Sequence, residues 1–158
     1  MIVRLATERD VPGFLGLAGQ VEHWFGPMVG DPAFRSAVGK HIRRAMALVA
    51  VADGQADPLG GLLFAAKPPR YEVHWLVVSE RARGRGVGRA LMAEALRRYV
   101  TSAGVVEVVT FGADHPGAVA SGARAFYERL GFTAAEAAGP GPEGGSRQVF
   151  RKIIALDT

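Results

Sequence analysis

A chain of 158 residues is the size of one ordinary domain and is long enough to bury roughly two thirds of the surface its unfolded form exposes. Hydrophobic residues at 49% and charged residues at 22% lie near the globular average, which excludes wholesale disorder and fibrous or mucin-like repeats. Nineteen basic against fifteen acidic side chains leave +4 at pH 7, and the lack of cysteine excludes disulfide scaffolds, thiolate-held zinc, cysteine nucleophiles and cysteine-ligated iron–sulfur clusters.

The N-terminal MIVRLATERD carries no basic segment followed by an apolar stretch, and no window reaches the ~18 apolar residues of a membrane span. The expectation is a soluble cytoplasmic protein, a single domain over residues 1–158. Ile2 to Ala6 reads as an edge strand, and Thr7 to Asp10 fits a capping box that opens a helix weakened by Gly13, Gly16 and Gly19. Asp31 before Pro32 starts a stronger helix, ending near Arg44, with Phe34, Ala37, Val38, Ile42 and Ala45 at helical spacing.

Ala47 to Ala52 and Leu59 to Ala66 flank DGQADP as an antiparallel hairpin of buried strands. Glu72 to Val78 follows as a strand whose period of two predicts Glu72, His74, Leu76 and Val78 on one face. Val87 to Val100 reads as a helix with a polar stripe that includes Glu94 and Arg98. Val105 to Phe111 is a valine-rich strand, and one helix is expected from the loop GADHPG to Leu130, capped by Gly131. Phe132 to Ala137 and Gln148 to Ala155 read as the last strands. This order is that of a mixed α/β domain with a crossover helix between the strands ending at Val78 and starting at Val105.

RGRGVG, from Arg83 to Gly88, sits directly after a strand and before a helix. Glycines there let the backbone approach a ligand, and the unpaired N–H groups of the first helical turn face an anion, a phosphate by preference. Arg81, Arg83, Arg85 and Arg89 concentrate positive charge at this turn. A dinucleotide GxGxxG fails at Arg89 or at Leu91, and a nucleotide-triphosphate loop fails because Gly39 and Lys40 are followed by His41. No GxSxG or HExxH occurs, which disfavours a serine hydrolase or a zinc hydrolase; no metal is expected. No aromatic residues interleave with the arginines, which disfavours a nucleic-acid surface.

RxxGxG from Arg83 to Gly88, preceded by EVHWLVV and followed by GRALMAEALRRY, resembles motif A of the GNAT superfamily of acyl-CoA-dependent N-acyltransferases. FYERLGF, from Phe126 to Phe132, is similar to the family's motif B at the expected distance downstream. The resemblance implies a central, mostly antiparallel sheet of about seven strands with flanking helices. It implies acetyl-CoA as cosubstrate, bound by the main chain of Leu76, Val77 and Val78 at the pantetheine arm. The pyrophosphate would be held by Arg83, Gly84, Arg85, Gly86, Val87, Gly88 and Arg89.

The same resemblance implies Glu72 as catalytic base, acting directly or through a water, and Tyr127 as the acid at the leaving sulfur; Glu107 on the next strand is the fallback base. Glu22, Trp24 and Phe25 lie where the family builds its acceptor pocket, and His74 is a candidate proton relay beside Glu72. Where the family frequently has an asparagine, this chain has DHPGAVASGA and no Asn. The expected reaction is direct acetyl transfer in a ternary complex to a primary amine of a small molecule. A protein lysine or N-terminus is the second acceptor, and a non-catalytic CoA sensor is the reading from another class. A small-molecule amine or peptide and a homodimer mate are the expected partners; nucleic acid and membrane are not.

Overall fold

Short β-branched and apolar runs become strands because their side chains pack on a pleated surface, and all of them join one sheet. The computed structural model describes residues 1–155. Its strands are β1 (Ile2–Leu5), β2 (Ala47–Val51), β3 (Gly60–Lys67), β4 (Arg70–Val78), β5 (Gly104–Phe111), β6 (Thr133–Ala138) and β7 (Arg147–Ile154), in the spatial order β1-β2-β3-β4-β5-β7-β6. The helices are α1 (Val11–Gly19), α2 (Glu22–Phe25), α3 (Pro32–Arg43), α4 (Val87–Tyr99), α5 (Pro116–Ser121) and α6 (Ala123–Arg129). Every neighbouring pair is antiparallel except β4 and β5, between which α4 carries the chain back across the sheet. The expected mixed α/β architecture with a mostly antiparallel sheet is the one observed.

One sheet face packs against α4, where Leu91, Met92 and Ala95 meet Leu62, Phe64, Tyr71, Val106 and Phe150. The other carries α1 and α3, where Phe14 and Val38 cover Val49 and Leu63 while Leu17 covers Val77. Each large apolar side chain buried this way contributes roughly 1.5–3 kcal/mol. Local signals set the helix starts: the Asp31 carboxylate accepts from the Ala33 N–H at 2.9 Å ahead of Pro32, and Asp10 accepts from the Thr7 N–H at 2.7 Å.

Two sequence expectations are corrected, and one element is new. The β3–β4 register slips between Leu63 and Phe64, leaving His74 as the extra, bulged residue of β4. Alternation therefore breaks: Leu76 and Val78 turn to the α4 face with Tyr71 and Val73, and do not share a face with Glu72 and His74. Trp75 and Val77 instead face α1 and α3. The single helix expected up to Leu130 is two, because Gly122 adopts φ 69° and interrupts it. EHWF forms a short helix of its own, α2.

The parallel pairing of β4 with β5 runs only from Arg70↔Val105 to Val73↔Val108. Beyond it, Leu76 to Val78 pair with β3 alone, and Val109 to Phe111 pair with β7 alone. The sheet opens into a gap at the end where the glycine-rich turn and α6 lie.

Candidate active site

Gly84 and Gly86 hold φ 77° and 80°, left-handed conformations that a side chain disfavours. Gly86 is the cap of α4, no side chain occupies that cap, and the first intrahelical bond runs from the Ala90 N–H to the Gly86 carbonyl at 3.0 Å. The N–H groups of Val87, Gly88 and Arg89 precede that bond and lack helical acceptors. Gly88 serves another purpose: a methyl group there would lie 2.9 Å from the Phe126 ring, so its absence lets α6 close on the start of α4.

A cavity of about 410 Å³ fills the gap, lined by Leu76, Val77 and Val78 of β4, by Gly84, Gly86, Val87 and Gly88, by Phe126 and Tyr127 of α6, and by Leu130 just after it. Arg83, Arg89 and Arg129 add positive charge to its wall. Of the four arginines in the sequence cluster, Arg81 is turned away onto the Asp57 carbonyl at 3.2 Å, and exposed Arg85 does not line the cavity. Trp24 lines this cavity too, with the Arg83 guanidinium 5.3 Å from its ring centre.

On the far side of the gap a second cavity, of about 450 Å³, is lined by Glu72, His74, Glu107, Thr110, Glu143 and Arg147 among others. The two share Phe25, Leu76, Val77, Phe111, Ala123 and Tyr127, so Tyr127 stands at their junction. It is positioned from several sides. The Arg124 guanidinium donates to the Phe111 carbonyl at 2.9 Å and to Gln148 at 2.7 Å, and Lys152 donates to the Leu130 carbonyl at 2.6 Å, which ties α6 to β5 and β7. Phe126, Phe132 and Phe150 pack around the Tyr127 ring. Burial pushes the phenol well above its ordinary range, with no hydrogen bond among the described residues offsetting it, so it is a neutral O–H donor at neutral pH.

The carboxylates divide by environment. Glu72 is half exposed and touches His74 at 3.1 Å. Glu107 is clamped by Arg151 at 2.8 Å and Arg70 at 2.6 Å, and the two guanidiniums hold it below the usual carboxylate range, which makes it a poor base. Glu22, expected in an acceptor pocket, lines neither cavity, and its carboxylate accepts from the Met28 N–H at 2.6 Å and the Val29 N–H at 3.2 Å. It shapes its own loop. Phe25 does reach the second cavity and stacks on Phe111 at 4.7 Å. His115 caps α5 by accepting from the Gly117 N–H at 2.8 Å, which makes it the Nε2–H tautomer facing Glu143.

Sequence reasoning missed Arg129, Phe111, Ser121 and Gly122 as lining residues. Arg129 was within reach, since it lies inside FYERLGF; the others depend on how β5 and the α5–α6 break approach α4.

No curated protein matches the sequence. Among solved structures, a GNAT-family protein from Desulfovibrio desulfuricans superposes with TM-score 0.76 at 22% identity, covering 98% of this chain and 99% of that one. The ribosomal-protein-alanine N-acetyltransferase of Brucella melitensis gives TM-score 0.71 at 22% identity, with 98% and 100% covered. The PaiA N-acetyltransferase of Thermoplasma acidophilum, in complex with coenzyme A, gives 0.73 at 15%, with 97% and 98% covered. The family model described as an acetyltransferase (GNAT) domain matches residues 43–134, more than half of the sequence and the part that builds β4, the glycine turn, α4 and α6. The chain belongs to the GNAT acetyltransferase family.

Proposed function

We propose that this acetyltransferase moves an acetyl group from acetyl-CoA to a primary amine of a small molecule, by direct attack in a ternary complex. The observation that carries the acceptor class is a contact between loops. A methyl group on Gly26 would touch Pro142 and Glu143 at 3.8 Å, so the turn after α2 meets the β6–β7 loop over the second cavity. A roofed pocket suits a small amine, where a polypeptide would need an open groove.

The first cavity fits the cosubstrate. Uncapped amides from Gly84 to Arg89, with Arg83 and Arg129 beside them, suit a pyrophosphate, and the one-sided backbone of Leu76, Val77 and Val78 suits the amides of an extended pantetheine arm. Acetyl-CoA supplies an acyl carbon already activated as a thioester. The chain supplies the proton chemistry. An amine with pKa near 10.4 is neutral in only about one molecule in 2,500 at pH 7, so a base is needed; of the second cavity's carboxylates Glu107 is clamped by arginines and Glu143 faces His115, while Glu72, half exposed on β4, is the one assigned as base. Tyr127 at the junction donates its O–H toward the departing sulfur. The cytoplasm, where acetyl-CoA is plentiful, is the compartment this reading implies; no helix among the described residues is long and apolar enough to cross a membrane.

The test is a panel of small amines, lysine peptides and N-terminal peptides incubated with acetyl-CoA and followed by thiol release. Turnover confined to small amines supports the proposal. Turnover confined to peptides reassigns the acceptor, and tight CoA binding without turnover makes the chain a sensor.

A further inference from the structure

The second cavity connects to α3 through two imidazoles. The His74 Nε2 lies 3.1 Å from Glu72 Oε2, the His74 Nδ1 lies 2.9 Å from His41 Nε2, and the His41 Nδ1 lies 2.6 Å from the Ala37 carbonyl oxygen. Glu72 and His74 share the α3 side of β4, and the bulge at His74 keeps Trp75 on that side as well. The array is linear, and no three His, Asp or Glu side chains among the described residues gather as a metal-binding group.

Counting protons shows what the array holds. A carbonyl oxygen can only accept, so His41 Nδ1 must carry a proton, and the middle bond needs one proton between two nitrogens. The outer bond needs a third, on His74 Nε2 or on the Glu72 carboxyl. Two neutral imidazoles and a carboxylate supply only two. All three contacts are hydrogen bonds at once only when Glu72, His74 and His41 together hold one extra proton, wherever along the line it sits.

We propose that the His41–His74 pair is the store for the proton that the acceptor amine loses to Glu72. This rests on the acetyl-transfer reading above. In the transfer, the amine N–H bond breaks and an O–H forms on Glu72; that O–H then breaks as an N–H forms on His74 Nε2, leaving the pair with one positive charge beside a restored carboxylate. The N–C bond formed and the C–S bond broken belong to the acyl transfer and are unaffected. His74 and His41 act through Glu72 and are positioning residues.

The surroundings act in both directions. Glu72 and the completed line of hydrogen bonds favour the loaded state. Burial opposes charge on His41, as do His74 and, more weakly, Arg44 just after α3 and Lys40 on it, while the Ala37 carbonyl favours it. On the strand side the register partner of Glu72 is Glu107, whose charge is already matched by Arg70 and Arg151.

Two substitutions separate relay from scaffold. His41→Asn keeps a donor for the Ala37 carbonyl and removes the acceptor for His74; His74→Gln keeps a donor for Glu72 and cannot take a proton. The imidazole nitrogens are titrated by NMR in wild type and variants, and kcat/KM against pH is measured with the best amine, as the variant-to-wild-type ratio so that the amine's own ionisation cancels. Expected are one shared midpoint for both rings in wild type and a kcat/KM limb at that midpoint. His41→Asn lowers the His74 midpoint and the limb together by about half a unit to one unit. His74→Gln abolishes the limb and cuts kcat about tenfold or more with KM unchanged.

Independent titration of the two rings overturns the proposal. So does a shared midpoint with kcat unmoved in both variants, which leaves the acetyl-transfer reading standing. A shared midpoint in a chain that turns over no amine removes that reading and, with it, the role proposed for the pair.

Discussion

Tyr127→Phe deletes one oxygen atom at the junction of the two cavities and is the sharpest test of the site. The ring is 6% exposed and wedged among Phe126, Phe132 and Phe150, contacts that phenylalanine reproduces. Burial raises the phenol, and among the described residues no hydrogen bond offsets it, so the substitution removes no hydrogen bond seen in the fold. Stability should therefore change by less than about 0.5 kcal/mol, the range of substitutions that break no buried interaction. Turnover should not be spared. A hydrogen bond to a group gaining negative charge contributes about 1.5–3 kcal/mol, which converts to a loss of about 10- to 150-fold in kcat. The assay pairs thiol-release kinetics at saturating acetyl-CoA with CoA calorimetry and a thermal melt. An unchanged melt and CoA affinity with kcat reduced by that factor is expected. A kcat within about twofold of wild type, on an unaltered fold, would remove the hydroxyl from the chemistry and refute the reasoning.

Further outcomes follow from the turn, the core and the charge network. Gly86→Ala forces a side chain into φ 80° and should cost about 1–2 kcal/mol in a urea titration, with CoA affinity weakened about tenfold as the uncapped amides shift. Leu91→Ala, fully buried between α4 and the sheet, should cost about 2–5 kcal/mol by the same titration without displacing any lining residue. The clamped Glu107 has its folded pKa below the unfolded value, so its contribution is present above about pH 4.3 and lost as pH falls through the folded pKa. Thermal melts should show Glu107→Gln less stable than wild type at neutral pH and with a shallower loss on acidification below about pH 4.3; parallel curves would contradict this.

Much of the fold was written in local pattern. Apolar runs between turn residues mark the strands, Asp31 before Pro32 marks α3, and the glycines from Gly84 to Gly88 mark the turn into α4, because capping and positive φ are properties of a few consecutive residues. Much of the first cavity was legible for the same reason: its wall from Leu76 to Arg89 comes from a nearly contiguous stretch of sequence.

What tertiary structure alone decided lies where distant segments meet. The bulge at His74 arises from the register between β3 and β4, and it reverses which side chains of β4 share a face, something no period of two can announce. The amides that bind the Glu22 carboxylate and the guanidiniums that clamp Glu107 are chosen by loop path and strand order, so an acid that reads as an amine partner becomes a loop staple and another loses its basicity. Tyr127 was named by its motif, but its place at the junction of two cavities follows from β4 and β5 parting after Val73 and Val108, a divergence set by twist and packing across the whole sheet.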